Sequence, residues 1–173
     1  MIDATRSPRR ALDAGWEIAR DGLAGAWRSI GAPRPVAAVL ADAGEWSIDG
    51  PARRFDAESW HYRLRLDVPA DVLATGARLV FDGLATCCEV SLNGVTLLTT
   101  RNMFRRHGVD VPASAWQPTG NQLLLRFDAL DAHLAARRPR PRWRTGSTRP
   151  AWRWRRISTR LRTCKRVPRH GSP

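Results

Sequence analysis

The sequence is poor in cysteine, lysine and glutamate, and it has no long apolar run. Its three cysteines, Cys87, Cys88 and Cys164, form no C-x-x-C pair, which excludes a disulfide framework and the common zinc sites. We expect only one thiol of the adjacent pair to face a core. No stretch approaches the roughly 18 apolar residues that a membrane-spanning helix needs. The first ten residues lack the apolar segment of a secretory signal, so a cytoplasmic protein without membrane contact is expected.

Charge is unevenly distributed along the chain. Residues 1–131 contain 15 arginines and 16 acidic residues, whereas residues 132–173 contain 14 basic residues and no acid. The net charge of +13 therefore belongs to the C-terminal segment, and the preceding part has the composition of a near-neutral globular protein. A length of 173 residues allows one such domain.

The residues that acid–base, nucleophilic or metal chemistry requires are scattered. Acid–base catalysis needs paired carboxylates or a histidine held against a partner. The four glutamates lie in predicted turns and solvent-facing strand positions: Glu17, Glu45, Glu58 and Glu89. His61 is expected at the surface or at an interface, and the other histidines lack metal-ligand spacing. Because nucleotide-binding glycine loops and the G-x-S-x-G turn are also absent, the sequence predicts no catalytic residue, metal or cofactor.

Alternating apolar residues predict several β-strands. In Trp60–Val68 five apolar side chains share one face, and His61 with three charged side chains shares the other. Asn93 and Gly94 suit a tight type I′ turn, because both central positions of that turn need positive φ. The other predicted strands are 12–18, 78–81, 88–92, 95–98 and 123–127. Short strands with turn residues between them predict an all-β sandwich.

One short helix and two flanking segments complete the predicted organisation. Pro35 precedes a helical pattern of Val36, Val39, Leu40 and Ala43, and residues 129–138 form a second short helix leading out of the sandwich. We assign a disordered leader to residues 1–10 and the β-sandwich to residues 11–138. Residues 139–173 are rich in arginine, tryptophan and proline and have few aliphatic residues, so we assign them to a disordered basic tail.

Six short motifs, of which the first is the long strand Trp60–Val68, follow one another in a fixed order. They are Trp60–Val68, Phe81-Asp82-Gly83-Leu84, Glu89–Gly94, Asn102-Met103-Phe104, Val109-Asp110-Val111 and Gly120–Leu125. This order resembles the N-terminal sugar-binding domain of glycoside hydrolase family 2, and the Asn-Met-Phe segment is similar to its β-mannosidase-like branch. His61 stands where such relatives often have a second tryptophan.

The resemblance implies a jelly-roll β-sandwich of the galactose-binding type and a mannoside-type carbohydrate partner. In full-length members this domain leans on a later (β/α)8 barrel and helps to wall the sugar pocket. The barrel supplies two glutamates for retaining hydrolysis, and the family's Asn-Glu acid/base motif is absent here. The resemblance therefore implies a chain without hydrolytic activity of its own.

The same resemblance makes Asn102, Met103 and Phe104 candidate substrate-binding residues. In this interpretation their loop faces the barrel and touches the substrate or braces the pocket. In the alternative interpretation Met103 and Phe104 anchor the loop on the sandwich, and Asn102 is a turn residue.

Three functional hypotheses remain open at this point. The chain is a truncated or frameshifted family 2 glycosidase, because the resemblance ends after about Gly146 and the acid-free remainder is typical of GC-rich DNA read out of frame. Alternatively, it is a stand-alone carbohydrate-binding module in which Trp27, Trp46 or Trp116 stacks on sugar. In the third hypothesis the basic tail binds nucleic acid without sequence specificity.

Overall fold

The computed structural model describes residues 9–21 and 26–135, and β-strand is the main regular structure of this part. The strands are β1 (Trp16–Arg20), β2 (Arg28–Gly31), β3 (Trp60–Leu66), β4 (Ala77–Phe81), β5 (Cys88–Leu92), β6 (Val95–Thr100), β7 (His107–Val111) and β8 (Asn121–Phe127). The helices are α1 (Val36–Asp42), α2 (Ala70–Thr75) and α3 (Leu130–Ala135), with 3₁₀ turns at Phe55–Ala57 and Ala113–Ala115. Most of the predicted leader and the whole of the predicted tail lie outside the described residues.

Two antiparallel sheets build the fold. Six strands form one sheet in the order β2-β1-β3-β8-β5-β6, and β4 pairs with β7 in a second sheet. The centre of the larger sheet is the pair of β3 and β8, whose register runs from Trp60 opposite Phe127 to Leu66 opposite Asn121. The prediction of an all-β sandwich is confirmed.

The core lies between the two sheets. The apolar face of β3 supplies Trp60, Tyr62 and Leu64, which are 8%, 8% and 3% exposed, and the second sheet supplies Leu79 and Val111. A side chain at every second position of a strand points to the same face, so the alternation in the sequence becomes a buried layer. Burial raises the pKa of Tyr62 to about 12.

Two predictions about burial are wrong. His61 is only 6% exposed, because β3 lies inside the six-stranded sheet with Ala19 and Arg126 directly opposite His61 on the flanking strands. Its Nδ1 atom has no hydrogen-bond partner among the residues that the structure describes, and burial, followed by the positive charge of Arg126, lowers the pKa of its imidazole. Cys87 and Cys88 are both buried, whereas one exposed thiol was expected, and burial raises the pKa of Cys88 to about 12.

Two asparagines, the buried Asn121 and the half-buried Asn93, close the end of the sandwich where β5, β6 and β8 meet. Asn121 is fully buried, and its Oδ1 accepts hydrogen bonds from the Gln117 amide at 2.8 Å and from Asn93 Nδ2 at 3.0 Å. Its Nδ2 donates to the carbonyl oxygens of Gln117 and Leu66 at 2.6 and 3.3 Å. Asn93 also accepts from the Gln122 amide at 2.9 Å and has a φ of 50°, as the predicted hairpin turn requires.

The described ranges contain no helix that is long and apolar enough to cross a membrane. They also contain no group of three or more His, Cys, Asp or Glu residues arranged to hold a metal ion.

Candidate functional site

Two neighbouring loops form a protruding surface that we call the tip, defined as residues 82–87 and 101–106. The first loop joins β4 to β5 and the second joins β6 to β7. Arg106 Nε donates to Asp82 Oδ1 at 2.7 Å, and the Thr86 hydroxyl donates to Met103 Sδ at 3.8 Å. Thr86 has a φ of 36°, a strained value for a β-branched residue that surrounding structure must hold in place.

Hydrogen bonds brace the second loop from within. The Asn102 amide donates to Thr100 Oγ1 at 3.1 Å, and the Phe104 amide donates to Asn102 Oδ1 at 2.9 Å. His107 Nε2 lies 3.1 Å from Thr100 Oγ1 and 3.3 Å from the Asn102 carbonyl oxygen. Asn102 therefore makes a local turn, and the loop presents its neighbours in a fixed arrangement.

Phe104 does not pack on the sandwich, because its side chain is 89% exposed, while Met103 is 45% exposed. The interpretation of both residues as anchors is wrong for Phe104. Every other aromatic residue in the described ranges is buried or half-buried. Arg101 and Arg105, which flank this pair, are exposed and form no ion pair within the same ranges.

The tryptophans proposed as sugar platforms are all less exposed than Phe104. Trp116 is 7% exposed, and its indole nitrogen has no hydrogen-bond partner within residues 9–21 and 26–135. Trp46 is half-buried with Phe55 packed against it edge to face, at 5.4 Å between ring centroids. The guanidinium of Arg63 covers one face of Trp27 at 3.9 Å from the ring centroid.

Each glutamate of the chain is engaged by an arginine. Arg53 binds both carboxylate oxygens of Glu58 at 3.0 and 3.2 Å, and the indole of Trp60 donates to the same carboxylate at 3.1 Å. The remaining pairs are Glu17 with Arg63, Glu45 with Arg28 and Glu89 with Arg126. These carboxylates hold strands and loops together.

A groove of about 2340 Å³ opens beside β4. It is bordered by core-facing residues of both sheets, among them Trp60, Tyr62 and Leu79, and by the segment from Leu66 to Ala77. Small-molecule pockets are usually about 300–1,000 Å³. The groove is therefore large enough to accept a segment of polypeptide.

A family model described as glycosyl hydrolase 2 galactose-binding domain-like matches residues 40–161. The sequence analysis predicted that the resemblance to the family ends after about Gly146. This prediction is wrong, because the match continues to residue 161. It includes all six strands from β3 to β8.

Known relatives carry this domain within much longer chains. Beta-mannosidase B of Aspergillus terreus is 34% identical over 95 residues, which are 53% of this chain and 11% of the relative. Beta-mannosidase B of Thermothelomyces thermophilus is 36% identical over 87 residues, which are 49% of this chain and 10% of the relative. The chain thus spans about a tenth of the length of the curated relatives it matches.

Solved structures share the fold. The crystal structure of a β-D-mannosidase from Dictyoglomus thermophilum superimposes with a TM-score of 0.62 and 26% identity, covering 71% of this chain and 16% of that one. A β-glucuronidase from Ruminococcus gnavus gives a TM-score of 0.54 at 20% identity, covering 69% of this chain and 21% of that one, and shows the fold alone. Because the family match covers most of the chain, the protein belongs to the glycosyl hydrolase 2 galactose-binding domain-like family.

Proposed function

We propose that the chain is the N-terminal carbohydrate-binding accessory domain of a β-mannosidase-like family 2 glycosidase and does not hydrolyse glycosides by itself. The observation that supports this most directly is the braced tip, which holds the exposed ring of Phe104 clear of the sandwich. The relatives named β-mannosidase support the sugar class.

The tip has the groups that a sugar contact uses. Sugar sites combine an aromatic face, on which a pyranose ring stacks, with a few polar groups that fix its orientation. Phe104 supplies the aromatic face, and Asn102 Nδ2 has no hydrogen-bond partner in the described ranges, so it can donate to a sugar hydroxyl. Asn102 Oδ1 already accepts from the Phe104 amide, which fixes the direction of the free amide nitrogen.

The arrangement of the glutamates supports the proposal that the chain does not hydrolyse glycosides by itself. Retaining hydrolysis uses two carboxyl groups about 5–5.5 Å apart, one as nucleophile and one as acid and base. Glu58 is the most enclosed glutamate, with its side chain 9% exposed, and Arg53 occupies both of its oxygens. A carboxylate held in this way is not available as a nucleophile or as a proton donor.

Calorimetric titration of the full chain with methyl β-mannoside and β-mannobiose tests binding, and a chromogenic β-mannoside tests hydrolysis. We expect saturable weak binding that Phe104→Ala abolishes, together with no release of the chromogenic group. Ile48→Ala is the matched control, since Ile48 is 84% exposed on a different loop. Binding that survives Phe104→Ala, or hydrolysis by the purified chain, would contradict the proposal.

A further inference from the structure

One end of the groove carries a surface that is complementary to the tip, and we call it the socket. It comprises Leu66, Val68 and Val72 as half-buried apolar groups, with Asp67 and Asp71 exposed beside them. Neither carboxylate forms an ion pair within the described ranges. Asp67 Oδ1 accepts the Gly120 amide at 2.8 Å, which fixes the position of this side chain.

The tip carries an exposed apolar side chain and positive charges that match the apolar groups and carboxylates of the socket. Phe104 is an exposed apolar group, and the unpaired cations Arg101 and Arg105 flank its loop. Aromatic residues, methionine and arginine are the types enriched in the buried centres of protein interfaces. Since hydrogen bonds already hold the loop, binding through Phe104 costs little additional ordering of the backbone.

Tip and socket lie at opposite ends of β4. The socket borders the start of this strand at Ala77, and the tip begins after its last residue, Phe81. Five residues of strand span roughly 15 Å, so the Phe104 side chain is too short to reach the socket of its own copy. A second copy is free of that constraint.

We propose that the tip of one copy docks in the socket of a second copy. Phe104 enters the apolar end of the groove, and Arg101 and Arg105 face Asp67 and Asp71. A single contact of this kind joins two different surfaces and leaves one tip and one socket free, so its repetition gives open chains, or rings where the rotation between copies closes. This inference goes beyond the proposed sugar contact and does not require it.

Sedimentation velocity of the full chain over a range of concentrations tests the proposal. Physiological ionic strength is needed, because it shortens the Debye length to about 8 Å and screens the net positive charge. We expect the average mass to rise with concentration. Phe104→Ser should weaken association about thirtyfold, the usual effect of truncating an interface hot spot. Ile48→Ser, an equally drastic change at another exposed apolar residue, should leave association unchanged.

A mixture of two variants gives the sharper test. Phe104→Ser retains its socket, and Asp71→Lys retains its tip, so each should be monomeric alone while an equimolar mixture forms a 1:1 dimer. Near-ultraviolet circular dichroism of each variant confirms that it is folded. A wild-type chain that stays monomeric at all concentrations would overturn the proposal. A monomeric mixture would overturn it as well, and neither result affects the sugar titration.

Discussion

Replacing Asn121 by alanine removes the centre of the amide network that joins three segments of the fold. The change strips hydrogen-bond partners from Asn93 Nδ2, from the Leu66 carbonyl and from both backbone groups of Gln117. A buried polar group left without a partner costs about 1–3 kcal/mol. Gln117 is exposed and its groups regain water, and Asn93 Nδ2 keeps the Ala115 carbonyl oxygen at 3.0 Å, so the Leu66 carbonyl determines the effect. We expect the free energy of unfolding to fall by about 2 kcal/mol.

Urea unfolding followed by tryptophan fluorescence measures this loss. With a slope of about 2 kcal/mol/M, the midpoint should fall by about 1 M and the slope should stay unchanged. Asn102→Ala, at an exposed asparagine in the tip, is the control and should shift the midpoint far less. Asn121→Asp keeps the shape but places a carboxylate oxygen against two carbonyl oxygens, so it should be less stable at pH 7 than at acid pH. An alanine variant as stable as wild type would refute the reasoning.

Three further substitutions test other parts of the fold by chemical denaturation. Burial lowers the pKa of His61 in the folded protein from its usual 6.5. As the pH drops below 6.5 the unfolded chain therefore binds a proton at His61 before the folded chain does, and the free energy of unfolding falls. His61→Phe should flatten this pH dependence. Gly76→Ala should cost more than Gly94→Ala, because both have positive φ but only at Gly76 would a Cβ lie 2.4 Å from a backbone oxygen. Glu58→Gln should cost about 1.5–3 kcal/mol, since hydrogen bonds to a charged group are lost, whereas Glu45→Gln at an exposed ion pair should cost under about 1 kcal/mol.

Strands with regular alternation could be predicted from the sequence, as could the compact apolar strand β4, whereas β2 and β7 could not. β3, β5 and β8 were located to within two residues because each carries at least three apolar residues in phase. β2 has only four residues and one apolar side chain, so its pattern carries no signal. In β7 the alternation is broken by Gly108, and the guanidinium of Arg78 on the neighbouring strand lies 2.7 Å from the position that a Cβ would occupy there. Such a cross-strand contact is invisible in one strand's pattern.

Burial at particular positions depended on topology. His61 was placed on the polar face correctly, but its burial follows from the central position of β3, which no property of the strand itself reveals. The tip shows the opposite case. Apolar loop residues usually pack, and only the hydrogen bonds around Asn102 explain why Phe104 points into solvent. The residue types alone could identify the Asn102–Phe104 loop as a candidate site. They could not show which side chain of this loop is exposed to solvent.

The sheet order has a consequence for synthesis of the chain. β3 needs β8 as its neighbour, and the hydrogen bond that closes their far end joins residues 55 positions apart. At a translation rate of about 5–20 residues per second, roughly 3–11 s pass between emergence of Leu66 and of Asn121. During that interval the backbone groups on one edge of β3 lack the strand that they bond in the folded sheet, and the same holds for one edge of β5, since β8 lies between the two. The nascent chain is therefore most vulnerable to misassociation before its last strand arrives, and folding is governed by contacts remote in sequence.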